Sequence, residues 1–251
     1  MSSLQQKSVI VTGGAGGIGR GIVQHLLRQG ASVLVVDIVE QEQGEAVLAS
    51  LDGHERAAYL CQDIALPESA EIIVQAAVEQ FGALHGLVNN AHASRQAPIL
   101  ETTREMWELS LGTGLFATFN LMRAAWPELK RTRGSIVNFA SGAGLKGQPT
   151  QATYAAAKEA IRGLSRVAAN EWAADGIRVN LVSPIALTPG IEEWAKADPE
   201  QYQQVLTGIP LGRLGDPEHD IAPVVAFLLS DAAAYMTGQT LMADGGSIML
   251  R

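Results

Sequence analysis

Short apolar runs recur along the chain and alternate with longer amphipathic stretches. The runs have the continuous apolar character of strands that are buried on both faces of a parallel sheet. They predict seven strands, at residues 8–12, 32–37, 57–62, 84–89, 135–139, 178–182 and 240–243. The amphipathic stretches predict helices, one running from the first glycine-rich turn to Gln29 and others near residues 41–50, 67–81, 103–130, 152–174 and 217–229.

Strand and helix follow each other throughout the sequence. This order predicts an α/β protein with a parallel sheet, and right-handed crossovers then place helices on both faces of a doubly wound fold. No repeat, low-complexity segment or linker interrupts the chain, so residues 1–251 are interpreted as a single domain. The stretch 185–214 breaks the alternation with three prolines, and we interpret it as a mobile lid of short helices over a site.

A glycine-rich turn, Thr12-Gly-Gly-Ala-Gly-Gly-Ile-Gly19, joins the first predicted strand to the first helix. Glycines allow a tight turn and a close approach to a pyrophosphate, while the N-terminus of the helix offers free N–H donors. The generic G-x-G-x-x-G pattern fits at Gly14, Gly16 and Gly19, and its place between a strand and a helix favours a dinucleotide site. The alternative is a glycine-rich loop without a ligand.

Asp37 ends the second predicted strand. An acid at this place can accept hydrogen bonds from the adenosine ribose hydroxyls, and its charge would repel a 2′-phosphate. Asp37 therefore predicts NAD(H) rather than NADP(H), and Arg20, inside the start of the helix, is not expected to change that preference. The alternative is an ordinary turn residue at a strand end.

Tyr154 and Lys158 stand four residues apart in an Ala-rich stretch, so they share one face of a predicted helix. A cation beside the phenol favours phenolate and lowers the pKa of the tyrosine, which makes the pair suited to general acid/base chemistry. Ser141 closes the strand before this helix and can hydrogen-bond the same substrate oxygen. The alternatives are a Tyr and a Lys on a helix surface and a Ser in a turn.

The formal net charge of −8 and the lack of a Lys/Arg cluster argue against a nucleic-acid-binding module. The single cysteine, Cys61, excludes an internal disulfide and fits a reducing cytoplasm. No apolar run approaches the ~20 residues that span a bilayer, and the first seven residues lack the features of a signal peptide. A cytoplasmic protein without a membrane partner or a metal is therefore expected.

The ordered motifs of the whole chain resemble those of the short-chain dehydrogenase/reductase family. These motifs are Thr12-Gly-x-x-x-Gly-Ile-Gly19, Asp63, Asn89-Asn-Ala91, Ser141, Tyr154-x-x-x-Lys158, Arg178-Val-Asn180 with Ser183-Pro184, Gly212-Arg-Leu-Gly-Asp-Pro-Glu218, and Thr237-Gly-Gln with Asp244-Gly-Gly246. Within the family, the overall similarity is to 3-oxoacyl carrier-protein reductases.

The resemblance implies a single-domain Rossmann fold with a seven-stranded parallel sheet, assembly as a homotetramer or homodimer, and hydride transfer between NAD(H) and an alcohol/carbonyl pair. It implies Tyr154 as the general acid/base, Ser141 as the group that orients the carbonyl, and Lys158 as a ligand of ribose hydroxyls. The residues implied in cofactor binding are Gly13, Ala15, Gly17, Ile18, Gly19, Asp37, Asp63, Ile64, Asn90, Ala91, Tyr154, Lys158, Pro184 and Thr188.

The sequence departs from the family pattern at three places. His92 and Ile185 each stand where the family has Gly. The family's catalytic Asn on the central helix is replaced by Gly114, or by Leu111 in another register, and neither residue is Asn. This missing side chain motivates an alternative function, a catalytically silent NAD(H)-binding sensor or scaffold, against which the intact Ser, Tyr and Lys argue.

Two accounts of Gly114 are open. A glycine inside a helix costs ~1 kcal/mol relative to alanine, so helix stability does not explain it. The residue can admit a bulky neighbour such as Phe139 or Trp107. Alternatively, it leaves room for a water on an exposed carbonyl, with His92 as a nearby titrating group in a rebuilt proton relay. The second account predicts that Gly114→Asn is tolerated.

The substrate itself is not readable from the sequence. An apolar pocket with a few polar points fits a small or medium carbonyl compound. Lys146 or Arg95 can hold a carboxylate there, or each is a solvated surface charge. The residues expected to line the pocket are His92, Ser94, Arg95, Lys146, Gln148, Gln151, Leu187, Ile191 and Trp194.

Overall fold

A computed structural model describes residues 4–249 of the chain. Its strands are β1 (Ser8–Thr12), β2 (Ser32–Asp37), β3 (Ala57–Cys61), β4 (Gly86–Asn89), β5 (Ser135–Phe139), β6 (Arg178–Pro184) and β7 (Thr240–Ala243). They form one sheet in the order β3-β2-β1-β4-β5-β6-β7, and every neighbouring pair is parallel. The predicted doubly wound, seven-stranded α/β fold is confirmed. The predicted single domain also includes residues 1–3 and 250–251, which lie outside the described part of the chain.

The helices are α1 (Gly17–Arg28), α2 (Gln41–Ala49), α3 (Ser69–Phe81), α4 (Arg104–Ser110), α5 (Ala117–Thr132), α6 (Gly142–Lys146), α7 (Ala152–Glu171), α8 (Pro189–Ala197), α9 (Pro199–Thr207) and α10 (Ala222–Leu229). The helix predicted near 103–130 is helical throughout from Arg104 to Thr132, but a π-helical turn over Leu111–Phe116 divides it into α4 and α5. Two glycines in this turn weaken regular α-helix. A second π-helical turn, Pro217–Ile221, precedes α10.

Both faces of the sheet are buried, which explains why the strands are continuously apolar. In β1, Val9 and Val11 belong to one core cluster, which also contains side chains of α1 and α10. Ile10, between them, belongs to a second cluster with side chains of α3, α5 and α7. Because successive side chains of a strand point to opposite faces, each apolar run supplies both cores at once.

A buried chain of amides fixes helix α7 on the sheet. Asn89 Nδ2 donates to Asn138 Oδ1 at 2.8 Å, and Asn138 Nδ2 donates to Ser165 Oγ at 2.8 Å. The three residues belong to β4, β5 and α7 and are all buried. Hydrogen bonds at this depth have fixed partners, so this network determines how α7 lies across the ends of the central strands.

The segment after β6 folds into the two short helices α8 and α9, as the prolines predict. It returns to the sheet where the Leu187 N–H donates to the Gly215 carbonyl at 2.8 Å. Trp194 of α8 meets Tyr202 of α9 edge to face, with ring centroids 6.0 Å apart. The role of this segment as a mobile lid stays a prediction. Between residues 4 and 249, no helix is long and apolar enough to cross a membrane.

Candidate active site

The glycine turn after β1 needs glycine at specific positions. Gly13 and Gly17 have φ angles of +65° and +49°, a conformation that side chains disfavour. A Cβ on Gly19 would lie 2.0 Å from the Gly13 carbonyl oxygen, whereas a Cβ on Gly16 would meet nothing within 4 Å. The requirement therefore follows the pattern Gly13-x-x-x-Gly17-x-Gly19, and Gly16 of the generic pattern is sterically free.

The end of β4 holds this turn in place. The Thr12 hydroxyl oxygen accepts the backbone N–H groups of Asn90 and Ala91, each at 3.1 Å. Asn90 Nδ2 donates in return to the carbonyls of Thr12 and Gly13, at 2.9 and 3.1 Å. The Asn90 amide, predicted to bind cofactor, thus orients the carbonyls of the turn.

Asp37 closes the turn from the β2 side. Its Oδ2 accepts the N–H of Ala15 at 3.0 Å, and its Oδ1 accepts the N–H of Ile38 at 2.8 Å. Arg20 donates to the Ser50 hydroxyl at 3.2 Å, beyond the end of α2. The Asp37 carboxylate therefore lies beside the turn, as predicted. The hydrogen bond described for Arg20 is made with Ser50 and not with Asp37.

A cleft of roughly 390 Å³ joins the ends of β1, β2, β3 and β4. Among the described residues that line it there is no Lys or Arg. The lining residues are Gly13, Val36, Asp37, Ile38, Gln62, Asp63, Ile64, Asn90, Ala91, His92, Ala93, Leu109 and Thr113. The features that fit one end of a dinucleotide are the N-terminus of α1, the carboxylates of Asp37 and Asp63, and the hydrogen-bonded glycine turn.

Three more predicted cofactor residues flank the same turn. Pro184 ends β6, and Thr188 lies over the turn, because a Cβ on Gly17 would be 3.6 Å from Thr188 Cγ2. Ile18 is partly buried against the core cluster on the α1 face. The loop after β6 therefore covers the turn from above, while Ile18 anchors the start of α1 below it.

The predicted catalytic residues come together at the start of α7. Lys158 Nζ lies 5.6 Å from the centroid of the Tyr154 ring, and the Lys158 residue is only 4% exposed. Ser141 begins α6, where its Oγ accepts the N–H of Ala143 at 3.2 Å, and its hydroxyl is also hydrogen-bonded to Tyr154. Phenol, hydroxyl and amine thus form one cluster.

Burial dominates the protonation of this cluster. It raises the pKa of Tyr154, and the hydrogen bond with Ser141 only opposes that shift. Burial also lowers the pKa of Lys158 to about 7. The expectation that Lys158 lowers the pKa of Tyr154 is therefore wrong for this structure, because desolvation favours the neutral form of both groups.

His92 lies directly against the predicted acid/base. Its ring stacks on the Tyr154 ring, with centroids 5.0 Å apart and planes at 26°, and its Nε2 is hydrogen-bonded to Ser110 Oγ at 3.0 Å. Burial, followed by the charge of Lys158, lowers the pKa of His92 to about 3. The imidazole is therefore neutral near pH 7, and the expectation of a titrating group at this place is wrong.

Gly114, in the π-helical turn, faces this imidazole. A Cβ on Gly114 would lie 3.0 Å from both Cε1 and Nε2 of His92. Gly114 thus admits a bulky neighbour, as the first account expects, and the nearest side chain is His92 in place of Phe139 or Trp107. The Gly114 carbonyl accepts the N–H of Ala117, which the Gly112 carbonyl shares. Binding of a water at the Gly114 carbonyl stays a prediction. The expected tolerance of Gly114→Asn also conflicts with the space available.

The other predicted substrate residues lie at different depths. Gln151 is the N-cap of α7, and Gln148 is exposed. Leu187 and Trp194 belong to the segment after β6, where both are half-buried. Of the two cations considered for a carboxylate, Lys146 donates to the Ser247 hydroxyl at 2.8 Å and Arg95 is exposed.

Sequence reasoning missed three residues that support the site. Asn138 and Ser165 orient α7 through the buried amide network, and Ser110 holds the His92 ring. A polar residue in the middle of an apolar strand, as at Asn138, is a signal that can be read from sequence. Ser110 carries no such signal, because its contact depends on the π-helical turn that follows it. Among residues 4–249, no cluster of His, Cys, Asp and Glu could hold a metal.

The seven-stranded parallel sheet with helices on both faces is a Rossmann-type fold. Residues 13–247 match the family model described as Enoyl-(Acyl carrier protein) reductase, and the chain belongs to the short-chain dehydrogenase/reductase family.

Individual members of the family are similar over the full length. The chain is 43% identical to a 12alpha-hydroxysteroid dehydrogenase of a Clostridium species, with 98% of both chains covered. It is 38% identical to a 3-oxoacyl-[acyl-carrier-protein] reductase of Staphylococcus aureus, with 97% of this chain and 98% of the relative covered. A crystal structure of a glucose/ribitol dehydrogenase from Brucella melitensis superimposes with a TM-score of 0.92 at 35% identity and covers 99% of both chains.

Proposed function

We propose that the protein is an NAD(H)-dependent oxidoreductase that interconverts a secondary alcohol and its ketone, with Tyr154 as the general acid/base. The observation that carries the proposal is the cluster of Ser141, Tyr154 and the buried Lys158, which contacts the lining of the Asp37 cleft through His92. When bound, the nicotinamide supplies the hydride acceptor or donor.

The chain's own residues handle the proton and the orientation. The raised pKa of Tyr154 keeps the phenol protonated near pH 7, so it is ready to donate to the oxygen of a ketone. Alcohol oxidation needs the phenolate, which higher pH supplies. Ser141 holds the substrate oxygen beside the phenol, while Lys158 and the residues implied by the family pattern hold the ribose.

Preference for NAD(H) rests on Asp37. Its carboxylate stands at the turn, and no Lys or Arg occurs among the described residues that line the cleft, so a 2′-phosphate would meet only negative charge. We expect the unmodified enzyme to use NADH better than NADPH. Asp37→Ala with an arginine in place of Ile38 should move the preference toward NADPH. Equal or better use of NADPH by the unmodified enzyme would contradict the proposal.

The substrate we propose is an alcohol on an apolar skeleton. Leu187, Ile191 and Trp194 on the segment after β6 are partly buried and apolar, and Lys146 is held by Ser247. A hydroxysteroid is the first probe, because the relative at 43% identity is named for that activity. A 3-oxoacyl thioester is the second probe.

The decisive experiment measures absorbance of NADH with a panel of ketones, and of NAD with the matching alcohols. Tyr154→Phe is the blank for every active pair. Turnover that depends on Tyr154 supports the proposal. Binding of NADH with no turnover of any pair would favour the catalytically silent sensor instead.

We also propose that the chain assembles as a homotetramer or homodimer in the cytoplasm. Large apolar side chains are exposed on α5, on α7 and in the π-helical turn, namely Phe119, Val167 and Phe116, at 42%, 53% and 54%. A patch of this kind on adjoining helices is typical of a surface covered by another subunit. Light scattering gives the subunit number, and Phe119→Glu with Val167→Glu should reduce it.

A further inference from the structure

His92 occupies a space that Gly114 leaves open. The imidazole packs tightly on position 114, since even a Cβ there would lie 3.0 Å from two of its ring atoms and would force the ring to shift. On its other side the same ring stacks on Tyr154. Two positions that are 22 residues apart in the numbering of this chain are therefore coupled through one ring.

Nitrogen Nε2 of His92 anchors the ring, while Nδ1 is buried and has no hydrogen-bond partner among the described residues. A buried polar atom without a partner is costly and rare in folded proteins. The contacts that hold the imidazole in this place are therefore the hydrogen bond with Ser110 and the stack on Tyr154.

We propose that His92, seated over Gly114 and anchored by Ser110, is a positioning residue that holds the Tyr154 ring in its reactive orientation. The inference rests on the proposed function, in which Tyr154 is the acid/base. It goes further by giving the two departures from the family pattern, at positions 92 and 114, a common cause. The His92 ring supports the Tyr154 ring from one side. Gly114 has no side chain that could support it from another.

The phenol is otherwise held from few directions. Its described partners are the Ser141 hydroxyl, the Lys158 side chain and the His92 ring, which come from three different segments of the chain. Ser141 and Lys158 contact the phenol through flexible single-atom groups. The His92 ring lies against one face of the phenol ring, with centroids 5.0 Å apart, so it restricts rotation of the ring as the other two contacts do not.

A double-mutant cycle tests the coupling. Gly114→Asn should push His92 off the phenol and lower kcat by roughly 10- to 100-fold, because small misplacement of a reacting group costs that much. His92→Gly should also lower kcat. The double variant should lose little more than His92→Gly alone, because the stack is already absent and the asparagine then finds the space that the imidazole has left.

Gly112→Asn is the matched control. Gly112 lies in the same π-helical turn, but a Cβ on it meets nothing within 4 Å. It should leave kcat and KM nearly unchanged. If Gly112→Asn and Gly114→Asn lower kcat equally, the effect belongs to the helical turn, and the proposed role of His92 is overturned.

A conservative variant separates positioning from packing. His92→Phe keeps a ring against Tyr154, so it should keep kcat within a few-fold of the unmodified enzyme, while His92→Leu, of similar bulk but without a ring, should not. KM and NADH affinity should change little in both. Equal kcat values for Phe and Leu at position 92 would overturn the proposal.

A spectroscopic titration needs no substrate. Tyrosine ionisation is followed by absorbance at rising pH, and the curve of Tyr154→Phe is subtracted from that of the unmodified protein. The difference reports the ionisation of Tyr154 alone. The groups that face its phenol are Lys158, His92 and the Ser141 hydroxyl. His92→Gly should admit water to the phenol and move this ionisation to lower pH. Failure of every substrate would thus refute the proposed function alone, whereas an unmoved titration together with an unchanged kcat would refute the role of His92.

Discussion

The glycine turn and the surroundings of Tyr154 are built in different ways. Backbone groups form the turn. One of its N–H groups donates to Asp37, its carbonyls accept from the Asn90 amide, and the Thr12 hydroxyl accepts an N–H group beyond the end of β4. The surroundings of Tyr154 depend on side chains instead, namely a stacked ring, a buried amine and a hydroxyl. Backbone hydrogen bonding leaves little choice of residue, whereas side-chain packing can be rearranged in pairs.

This difference explains where the chain departs from its family. The turn keeps the full pattern, because Gly13 and Gly17 have positive φ angles that side chains disfavour and Gly19 has no space for a Cβ. Beside Tyr154, one position has gained a ring and the facing position has lost its side chain. If the two regions are separate, substitutions in the first should alter cofactor binding, and substitutions in the second should alter turnover.

Tyr154→Phe should show the largest effect and should leave the turn untouched. Loss of the proton donor should lower kcat by roughly 10²- to 10⁴-fold. NADH should bind with nearly unchanged affinity, which titration calorimetry can measure. A variant that keeps most of its activity would show that the assigned acid/base is wrong.

Gly19→Ala should have the opposite signature. The new Cβ would lie 2.0 Å from the Gly13 carbonyl oxygen, so the turn must open, at a cost of about 1–3 kcal/mol in the free energy of unfolding. NADH binding should be lost in the same calorimetric measurement. Gly16→Ala is the control, since its Cβ meets nothing within 4 Å. If both variants lose NADH binding, the turn tolerates no alanine at all and the steric account of Gly19 is wrong.

The sequence predicts these two regions unequally. The sheet, its order of helices and the turn follow from apolar runs and from glycines whose backbone role is local. The partner of Gly114 does not follow, because His92 reaches it only through the fold and across a π-helical turn that the helix pattern of residues 103–130 conceals. The direction of the pKa shift of Tyr154 was also not predicted, since the i, i+4 spacing shows the nearby Lys158 but not the burial that raises this pKa.

Acid stability should report the burial of His92. Its ordinary pKa is 6.5 and its pKa in the folded protein is about 3, so below pH 6.5 the unfolded chain takes up a proton that the folded protein does not. Stability is therefore full above pH 6.5 and falls as the pH drops toward 3, by up to about 1.4 kcal/mol per pH unit.

The matched variant for this test is His92→Gln, which does not titrate. Urea unfolding over a pH series should give a shallower fall for the variant than for the unmodified protein. His25 and His85, whose pKa values are also lowered by burial, contribute equally to both proteins and cancel in the comparison. If the free energy of unfolding falls equally with pH in both proteins, His92 is exposed to solvent and does not stack on Tyr154.

Trp194→Ala should give the smallest effect, because it lies in the segment that contributes least to the core. Neither α8 nor α9 has a buried residue, and the edge-to-face contact of Trp194 with Tyr202 links the two helices. Losing that contact should cost about 0.5–1.5 kcal/mol in the free energy of unfolding.

If the segment covers the substrate, Trp194→Ala should raise KM for a bulky apolar alcohol several-fold while kcat and NADH affinity stay nearly constant. Val205→Ala, at an exposed position of α9, is the control and should change neither constant. A fall in kcat without a change in KM would place Trp194 with the Tyr154 region and remove the distinction between a fixed catalytic cluster and a variable cover.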